Sequence, residues 1–255
     1  MTPLAGRTVV VTRPERQAAG LVERIEAAGG RALRYPMMHI QTLASVALDA
    51  VIDRLDGFDL AVFVSRNAVE HGLARARSRR PWPPGPRAAA VGSGTRRALE
   101  AEGFENVVAP EGSADSAALL AEPGLEPVAD RRIVIFRGEG GREELATALR
   151  ARGASVDYAE CYRRTLPATD LTPLVAEWSR GAVDAVAVSS GEALANLARR
   201  LGDAGPKLLA DTPLFVSHAR VEAQARALGA VHVVVAGAPD EDVLAALVAY
   251  FRSAG

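Results

Sequence analysis

Two glycine-rich stretches stand where a short apolar run gives way to a helical pattern, a geometry that aims backbone N–H groups at an anion. One is VGSGTRRALEAEG, Val91 to Gly103, with Gly92 and Thr95 at its opening. It is an incomplete dinucleotide fingerprint: the third glycine is missing, and no acidic residue follows a second strand at the usual distance. The other is FRGEGGREEL, Phe136 to Leu145, where Arg137, Gly138 and Arg142 could hold an anion against a helix start. No Lys-Ser or Lys-Thr pair follows, so it is not a P-loop. Without a ligand, the first is a tight turn and the second a solvated helix start whose dipole Glu143 and Glu144 satisfy.

Hydroxyl and amide groups gather at similar places. Ser65-Arg66-Asn67 and Ser189-Ser190-Gly191 each follow an apolar run. Such residues cap the next helix, and open α/β sheets bind ligands at the same strand ends. Neither serine sits in a Gly-x-Ser-x-Gly elbow, and no His/Asp partner pattern accompanies them, which argues against a hydrolase triad. Tyr162 lies in VDYAECYRRTLP. Its phenol can pack with the hydroxyl at the surface, or give a proton to a leaving hydroxyl. Cys161 beside it reads as a buried small apolar residue.

Composition narrows the classes. A net charge of −1 provides no global field for nucleic acid or an anionic membrane. Apolar residues at 49% and charged residues at 24% fit a globular chain and exclude disorder. Lys207 is the sole lysine, so 29 of the 30 basic residues are arginine. The abundant Ala, Gly, Pro and Val fit the same coding bias, so each arginine must be argued by position. A single cysteine allows no internal disulfide, in keeping with a reducing cytosol. The N-terminus lacks the apolar stretch of a signal peptide, and no run approaches the roughly 18 apolar residues of a membrane span. The four histidines are scattered without metal-ligand spacing. A cytoplasmic protein needing no metal or nucleotide is expected.

The elements that must position these residues alternate. Apolar runs at Arg7–Thr12, Ala32–Tyr35, Leu60–Val64, Ala88–Val91, Asn106–Ala109, Ile133–Phe136, Val156–Tyr158, Ala185–Val188, Leu214–Ser217 and His232–Val235 read as strands. Helical patterns sit between most of them; Gln17–Ala28 places Leu21, Val22, Ile25 and Ala28 on one face and ends at Gly29-Gly30. Strands apolar throughout, alternating with helices, predict parallel sheets covered on both faces. RRPWPPGPR, Arg79 to Arg87, is too rich in proline for helix or central strand. Gly112–Asp115 and Glu122–Asp130 are further loops.

The sequence also repeats. VVVTRPERQAAGLVERIEAAGG resembles IVIFRGEGGREELATALRARGA, with Arg137 124 residues after Arg13 and Gly153 124 after Gly29. DLAVFVSRNAV resembles DAVAVSSGEAL, with Asp59 and Ser65 matching Asp184 and Ser190 at an offset of 125. AAAVGSGTRRALEAEG resembles PLFVSHARVEAQARALG, with Gly103 matching Gly229 at 126. Three segments in one order at nearly constant offset imply two similar α/β halves.

Taken together with YPMMHI, ECYRRT and DAVAVSSGEALANL, these segments resemble the uroporphyrinogen-III synthase family over nearly the whole chain. The resemblance implies two doubly wound parallel-sheet domains joined by two extended linkers, with the active site in the cleft between them. Domain one would comprise residues 1–36 plus 168–255 and domain two residues 42–160, with linkers at 37–41 and 161–167. The implied activity is that of a hydro-lyase: cyclisation of hydroxymethylbilane, a linear tetrapyrrole with many carboxylates, to uroporphyrinogen III with loss of water and inversion of ring D. No cofactor is implied, and a monomer without nucleic-acid or membrane partners is expected. Residue by residue, Tyr162 matches the family tyrosine proposed to assist loss of the hydroxyl. Ser65, Thr95 and Ser190 match hydroxyls facing the cleft, and Gly138 and Arg142 match a glycine–arginine turn. Where many members carry threonine, this chain has Val221 in SHARVEA, so Ser217 and Arg220 take that place. Arg13, Asn67, Gly92, Arg137, Ser189 and Gly191 complete the expected substrate-binding set. The alternative reading is a two-lobed cytosolic binding or sensing protein for a small anionic ligand.

Overall fold

The computed structural model describes residues 2–111 and 115–253. Its strands are β1 (Thr8–Val11), β2 (Arg31–Arg34), β3 (His39–Thr42), β4 (Leu60–Phe63), β5 (Arg87–Ala90), β6 (Arg132–Gly138), β7 (Ser155–Thr165), β8 (Ala185–Val188), β9 (Leu214–Val216) and β10 (Val233–Val235). Its helices are α1 (Glu15–Ala27), α2 (Val46–Asp53), α3 (Arg66–Arg79), α4 (Ser93–Ala101), α5 (Ser116–Leu120), α6 (Glu144–Ala151), α7 (Thr172–Ser179), α8 (Gly191–Leu201), α9 (Gly205–Asp211), α10 (Ala219–Ala227) and α11 (Asp240–Ser253). The chain forms two compact units, residues 1–39 with 165–255 and residues 40–164. The first holds a sheet of order β10-β9-β8-β1-β2, and the second a sheet of order β3-β7-β6-β4-β5.

Inner strands such as β1, β4, β8 and β9 are buried on both faces, which is why their sequences read as unbroken apolar runs. In the first unit, Val10, Val186, Val188, Leu214 and Val216 face α7 to α10, while Val9, Val11, Ala185, Ala187 and Phe215 face α1 and α11. In the second, Ala61, Phe63, Val134, Phe136 and Ala159 face α2 and α3, while Leu60, Val62, Ile133, Ile135 and Val156 face α5 and α6. Phe63 and Phe136 stack across β4 and β6 with centroids 4.6 Å apart. The helix α1 ends as its sequence predicts: Gly29 adopts φ +85°, and its N–H and that of Gly30 reach back to the Glu26 and Ile25 carbonyls. Gly153, its repeat counterpart, takes φ +88° after α6. Only glycine holds that region without a Cβ penalty.

The two units are not the two repeats. Each sheet takes a β-α-β segment from one repeat and completes it with strands from the other. The register is the same in both. Val9 pairs with Ala185 in the first sheet, and their repeat counterparts Ile133 and Leu60 pair in the second. Likewise Thr8↔Arg31 corresponds to Arg132↔Ser155, and Val186↔Leu214 to Ala61↔Ala88. Even Phe215↔Val234 has its image in Ala89↔Val108. An aspartate starts each seam. Asp184 accepts the Thr8 N–H at 2.8 Å and pairs with Arg7 at 2.9 Å. Its counterpart Asp59 accepts the Arg132 N–H at 2.8 Å and pairs with Arg131 at 2.8 Å. The Arg132 N–H, then Arg131, holds the Asp59 carboxyl below the usual carboxylate range.

Three sequence expectations change. Asn106–Ala109 is not a strand but a single bridge at Val108, because Asn106 sits at φ 51° and breaks the extended run before it lengthens. His39–Thr42 is a strand at the edge beside β7 rather than a bare connection, tied on by the Leu43 N–H to the Cys161 carbonyl at 2.9 Å. Val156–Tyr158 extends to Thr165, far beyond its apolar stretch: pairing with β6 continues to Gly138 and Tyr162, and β3 is hydrogen-bonded along its other edge. Of the loop at Gly112–Asp115, residues 112–114 lie outside the described residues.

Two outcomes test this arrangement. Fragments 1–126 and 127–255 each carry two strands of one sheet and three of the other, so neither should unfold cooperatively alone, whereas mixing them should restore a cooperative thermal transition by circular dichroism. Asp59→Ala should cost about 1–2 kcal/mol in urea unfolding, the range of a partly exposed charged hydrogen bond. Because the folded Asp59 titrates below its unfolded value, its contribution is complete above the ordinary carboxylate range. It fades as pH falls through the lowered value, so the wild-type advantage should shrink in acid.

Candidate active site

In doubly wound sheets, ligands meet the carboxyl ends of the strands where the winding reverses direction. In the second unit the central pair there is β4 and β6. The chain leaving β4 is Val64-Ser65, and β6 ends at Gly138. Ser65 is in extended backbone at the N-cap of α3, and its Oγ accepts the Ala68 N–H at 3.1 Å. The same Oγ lies 3.1 Å from the Tyr162 Oη.

Tyr162 reaches this point through a local irregularity. Along β6 and β7 the pairing runs regularly to Arg137↔Glu160, then skips Cys161 and resumes at Gly138↔Tyr162. A bulge of this kind re-aims a side chain. Ala159 and Cys161 already face α3, and the skip brings Tyr162 onto that side with them. The ring is 1% exposed and packs near His71, with centroids 5.8 Å apart. His71 is held by Thr42 of β3, Oγ1 to Nδ1 2.8 Å. A Cβ on Gly138 would fall 2.8 Å from Cε2 and Cζ of Tyr162, so only glycine leaves room for the ring. Packing and chemistry are therefore compatible for Tyr162: the ring is core, and the hydroxyl meets Ser65. The Arg164 Nη2 stands 3.5 Å from the same oxygen. Cys161 is fully buried, and burial pushes its thiol up to about 12, so it packs and does not attack.

Arg137 behaves differently from its expected role. It is 6% exposed and bonds Glu160 through Nε and Nη2 at 3.2 and 3.1 Å, and Glu143 through Nη1 at 2.8 Å. It also lies 3.9 Å over the Tyr158 ring, whose hydroxyl donates to Glu143. Burial works against the guanidinium charge, but the bonds to Glu143 and Glu160 outweigh it and hold its pKa above the usual value. The Tyr158 hydroxyl, followed by Arg137, holds the Glu143 carboxyl below its ordinary value. Arg137 thus braces the Gly138–Glu143 turn from beneath, and its Nη1 also donates to the Arg142 carbonyl at 3.3 Å. Arg142 itself is exposed on that turn. Asn67 is half-buried in the first turn of α3. Gly92 caps α4 in extended backbone, and Thr95 is buried in its first turn.

The remaining expected residues lie in the first unit. Ser190 caps α8, accepting the Ala193 N–H at 3.1 Å, as its repeat counterpart Ser65 caps α3. Ser217 donates to the Ser189 carbonyl at 2.9 Å, linking the ends of β8 and β9. Gly191 is covered by Gln224, whose Oε1 would meet a Cβ there at 2.0 Å. Arg220 is exposed in the first turn of α10. Arg13 is committed elsewhere, to Asp240 at the start of α11 and to the Ala238 carbonyl at 2.9 Å. A groove of about 590 Å³ runs along α8, α9 and α10 past Leu194, Leu209 and Leu228, mostly apolar but with Arg199 and Gln224 in its lining. Among the described residues, no group of three or more His, Cys, Asp or Glu could hold a metal, and no helix is long and apolar enough to cross a membrane.

Sequence reading missed His71, Thr42 and Arg164 around Tyr162. Strand alternation could have found Arg164, two residues beyond Tyr162 on one side of a strand. Nothing local could have found His71.

These features define an α/β protein of two parallel-sheet units with hydroxyl and backbone groups gathered at strand ends. The family model described as uroporphyrinogen-III synthase HemD matches residues 19–246. The uroporphyrinogen-III synthase of Salmonella typhimurium is 34% identical over 246 residues, covering 93% of this chain and 98% of its own. That of Escherichia coli is 31% identical over 242 residues, with 93% and 98% covered. The chain belongs to the uroporphyrinogen-III synthase family. Among solved structures, a mutant uroporphyrinogen III synthase from Thermus thermophilus superposes with TM-score 0.67 at 20% identity, covering 97% of this chain and 98% of that one. The uroporphyrinogen-III synthetase from Helicobacter pylori gives 0.59 at 14%, covering 96% and 99%. At these identities the likeness is one of fold.

The Gly138–Tyr162 contact yields a test. Gly138→Ala should cost about 1–3 kcal/mol, the usual cost of overpacking. Gly94→Ala, where a Cβ meets nothing within 4 Å, should be neutral or stabilising by up to about 1 kcal/mol in a helix. Equal urea midpoints for the two variants would refute the packing account.

Proposed function

We propose that this chain is a cytoplasmic, monomeric uroporphyrinogen-III synthase that works without metal, nucleotide or flavin. It acts as a carbon–oxygen lyase on hydroxymethylbilane. The observation that carries the reading to the level of residues is the grouping of Ser65, Gly138 and Tyr162 at the carboxyl ends of the central strands of the second unit.

In this reading Tyr162 gives its phenolic proton to the substrate hydroxyl as the C–O bond breaks. Water leaves with the bonding electrons, and an azafulvene cation remains. Ring D attacks through its substituted carbon, a spiro intermediate forms and reopens, and the macrocycle closes with D inverted. The proton lost as the last ring regains aromaticity returns to the tyrosine. Most of this needs the chain held folded rather than further acid or base. Within the second unit, the turns at Gly92–Thr95 and Gly138–Arg142 and the Asn67 amide are the groups assigned to substrate carboxylates; within the first unit, Ser189–Gly191, Ser217 and Arg220 have that assignment. Arg13 and Arg137 serve as braces, since carboxylates of this chain already occupy their donors.

Incubation with fresh hydroxymethylbilane in excess chelator, separating product isomers I and III, tests the reading. Wild type should yield isomer III. Tyr162→Phe keeps the ring and should lower turnover by about 10²–10⁴-fold, the worth of a positioned proton donor. Ser65→Ala, Thr95→Ala and Ser190→Ala should each cost about tenfold or less, the scale of one neutral hydrogen bond. Slowed variants should release more isomer I, because free substrate closes unaided. Activity lost to chelator and restored by one metal would refute cofactor independence, and a folded Tyr162→Phe enzyme within threefold of wild type would remove Tyr162 from the mechanism.

A further inference from the structure

A phenol that gives up its proton leaves a phenolate, and a phenolate in a buried ring is costly unless donors meet it. Tyr162 is such a ring. Two groups stand at its oxygen. One is the Ser65 Oγ at 3.1 Å, which is neutral and already accepts the Ala68 N–H. The other is the Arg164 Nη2 at 3.5 Å, with its guanidinium carbon 5.8 Å from the ring centroid. Its guanidinium is a permanent positive charge, and the ring's other neighbours include His71, Gly138 and apolar core. Tyr162 and Arg164 both lie on β7, two residues apart, so the strand that aims the phenol also delivers the charge.

We infer that Arg164 is a positioning residue for the cyclisation, holding and charge-balancing the Tyr162 oxygen while its proton is on the substrate. The inference rests on the proposed role of Tyr162. When the O–H bond breaks and the proton leaves in water, the electron pair stays on the phenolic oxygen, facing the guanidinium. When the macrocycle loses its last ring proton, that oxygen takes it back, and the enzyme returns to its starting state with no other reactant. A 3.5 Å separation is long for the resting hydrogen bond but leaves a short path to the tight, charge-assisted bond of a phenolate. The arginine would act on the state in which the proton has moved more than on substrate binding.

A double-mutant cycle separates this from the alternatives. Arg164→Gln should lower kcat about tenfold or more with KM for hydroxymethylbilane within about twofold, as loss of one charge-assisted bond predicts. In a Tyr162→Phe background the same change should cost less than about twofold, because the oxygen it serves is gone. Arg164→Lys, which keeps the charge but not the fork, should recover part of kcat. Equal losses in both backgrounds, or a rise in KM with kcat unchanged, would overturn the inference and assign Arg164 to substrate carboxylates. If Tyr162→Phe alone has wild-type kcat, the donor role itself fails and this inference falls with it. A wild-type chain that forms no isomer III refutes the function. Arg164 is exposed at the strand end, so the variants should fold; circular dichroism checks this, and Arg164→Lys keeps the test open if Arg164→Gln does not.

Discussion

The aspartate at the start of each seam is the contact on which both units depend. Asp184 receives the first N–H of β1, and Asp59 receives that of β6. In each case the strand being captured comes from the other repeat. A β-α-β segment such as β1-α1-β2 has too little apolar surface to stand alone, and a parallel sheet must bury both faces. Capture at the seam solves both problems, because the captured strand brings its own helix to cover one face. An arginine preceding each captured strand, Arg7 or Arg131, completes the clasp. The matching registers in the two sheets follow from it, since a slip of one residue would turn every strand side chain to the wrong layer.

The same seam sets where chemistry can occur. A sheet whose winding reverses at its centre leaves a crevice at the strand ends there, and in the second unit the residues at that crevice are Ser65 and Gly138. The bulge at Cys161 adds Tyr162. Its counterpart region in the first unit is the short β2, with no such extension, and there Arg13 is spent on Asp240. The two units thus share a scaffold, and in the second the bulge brings a phenol to within hydrogen-bond distance of the serine at the seam.

Charge is used unevenly. Arg137 sits almost wholly buried between Glu143 and Glu160, against Tyr158, where leaving the guanidinium unpaired would be expensive. Such a brace fixes the Gly138–Glu143 turn through contacts internal to the unit. Arg142 and Arg164, by contrast, are exposed. Position in the fold, and not residue type, separates the buried brace from the exposed arginines in a chain with 29 of them.

Local pattern determined a great deal. Unbroken apolar runs gave parallel sheets covered on both faces, Gly29 and Gly153 marked helix ends, and Ser65 and Ser190 marked helix starts. These depend on neighbours a few residues away, so they are written in short windows. The repeat carried the correspondence between halves, and the resemblance carried the family. Tertiary structure decided what distance along the chain conceals. Which repeat completes which sheet depends on pairings 176 residues apart, as between Thr8 and Asp184. The skip at Cys161 that turns Tyr162 toward Ser65 arises from β6 and β7 pairing out of step, and no periodicity in either strand signals it. The occupied donors of Arg13 and Arg137 likewise appear only once Asp240, Glu143 and Glu160 are brought to them, because a hydrogen bond is satisfied in space and not in sequence.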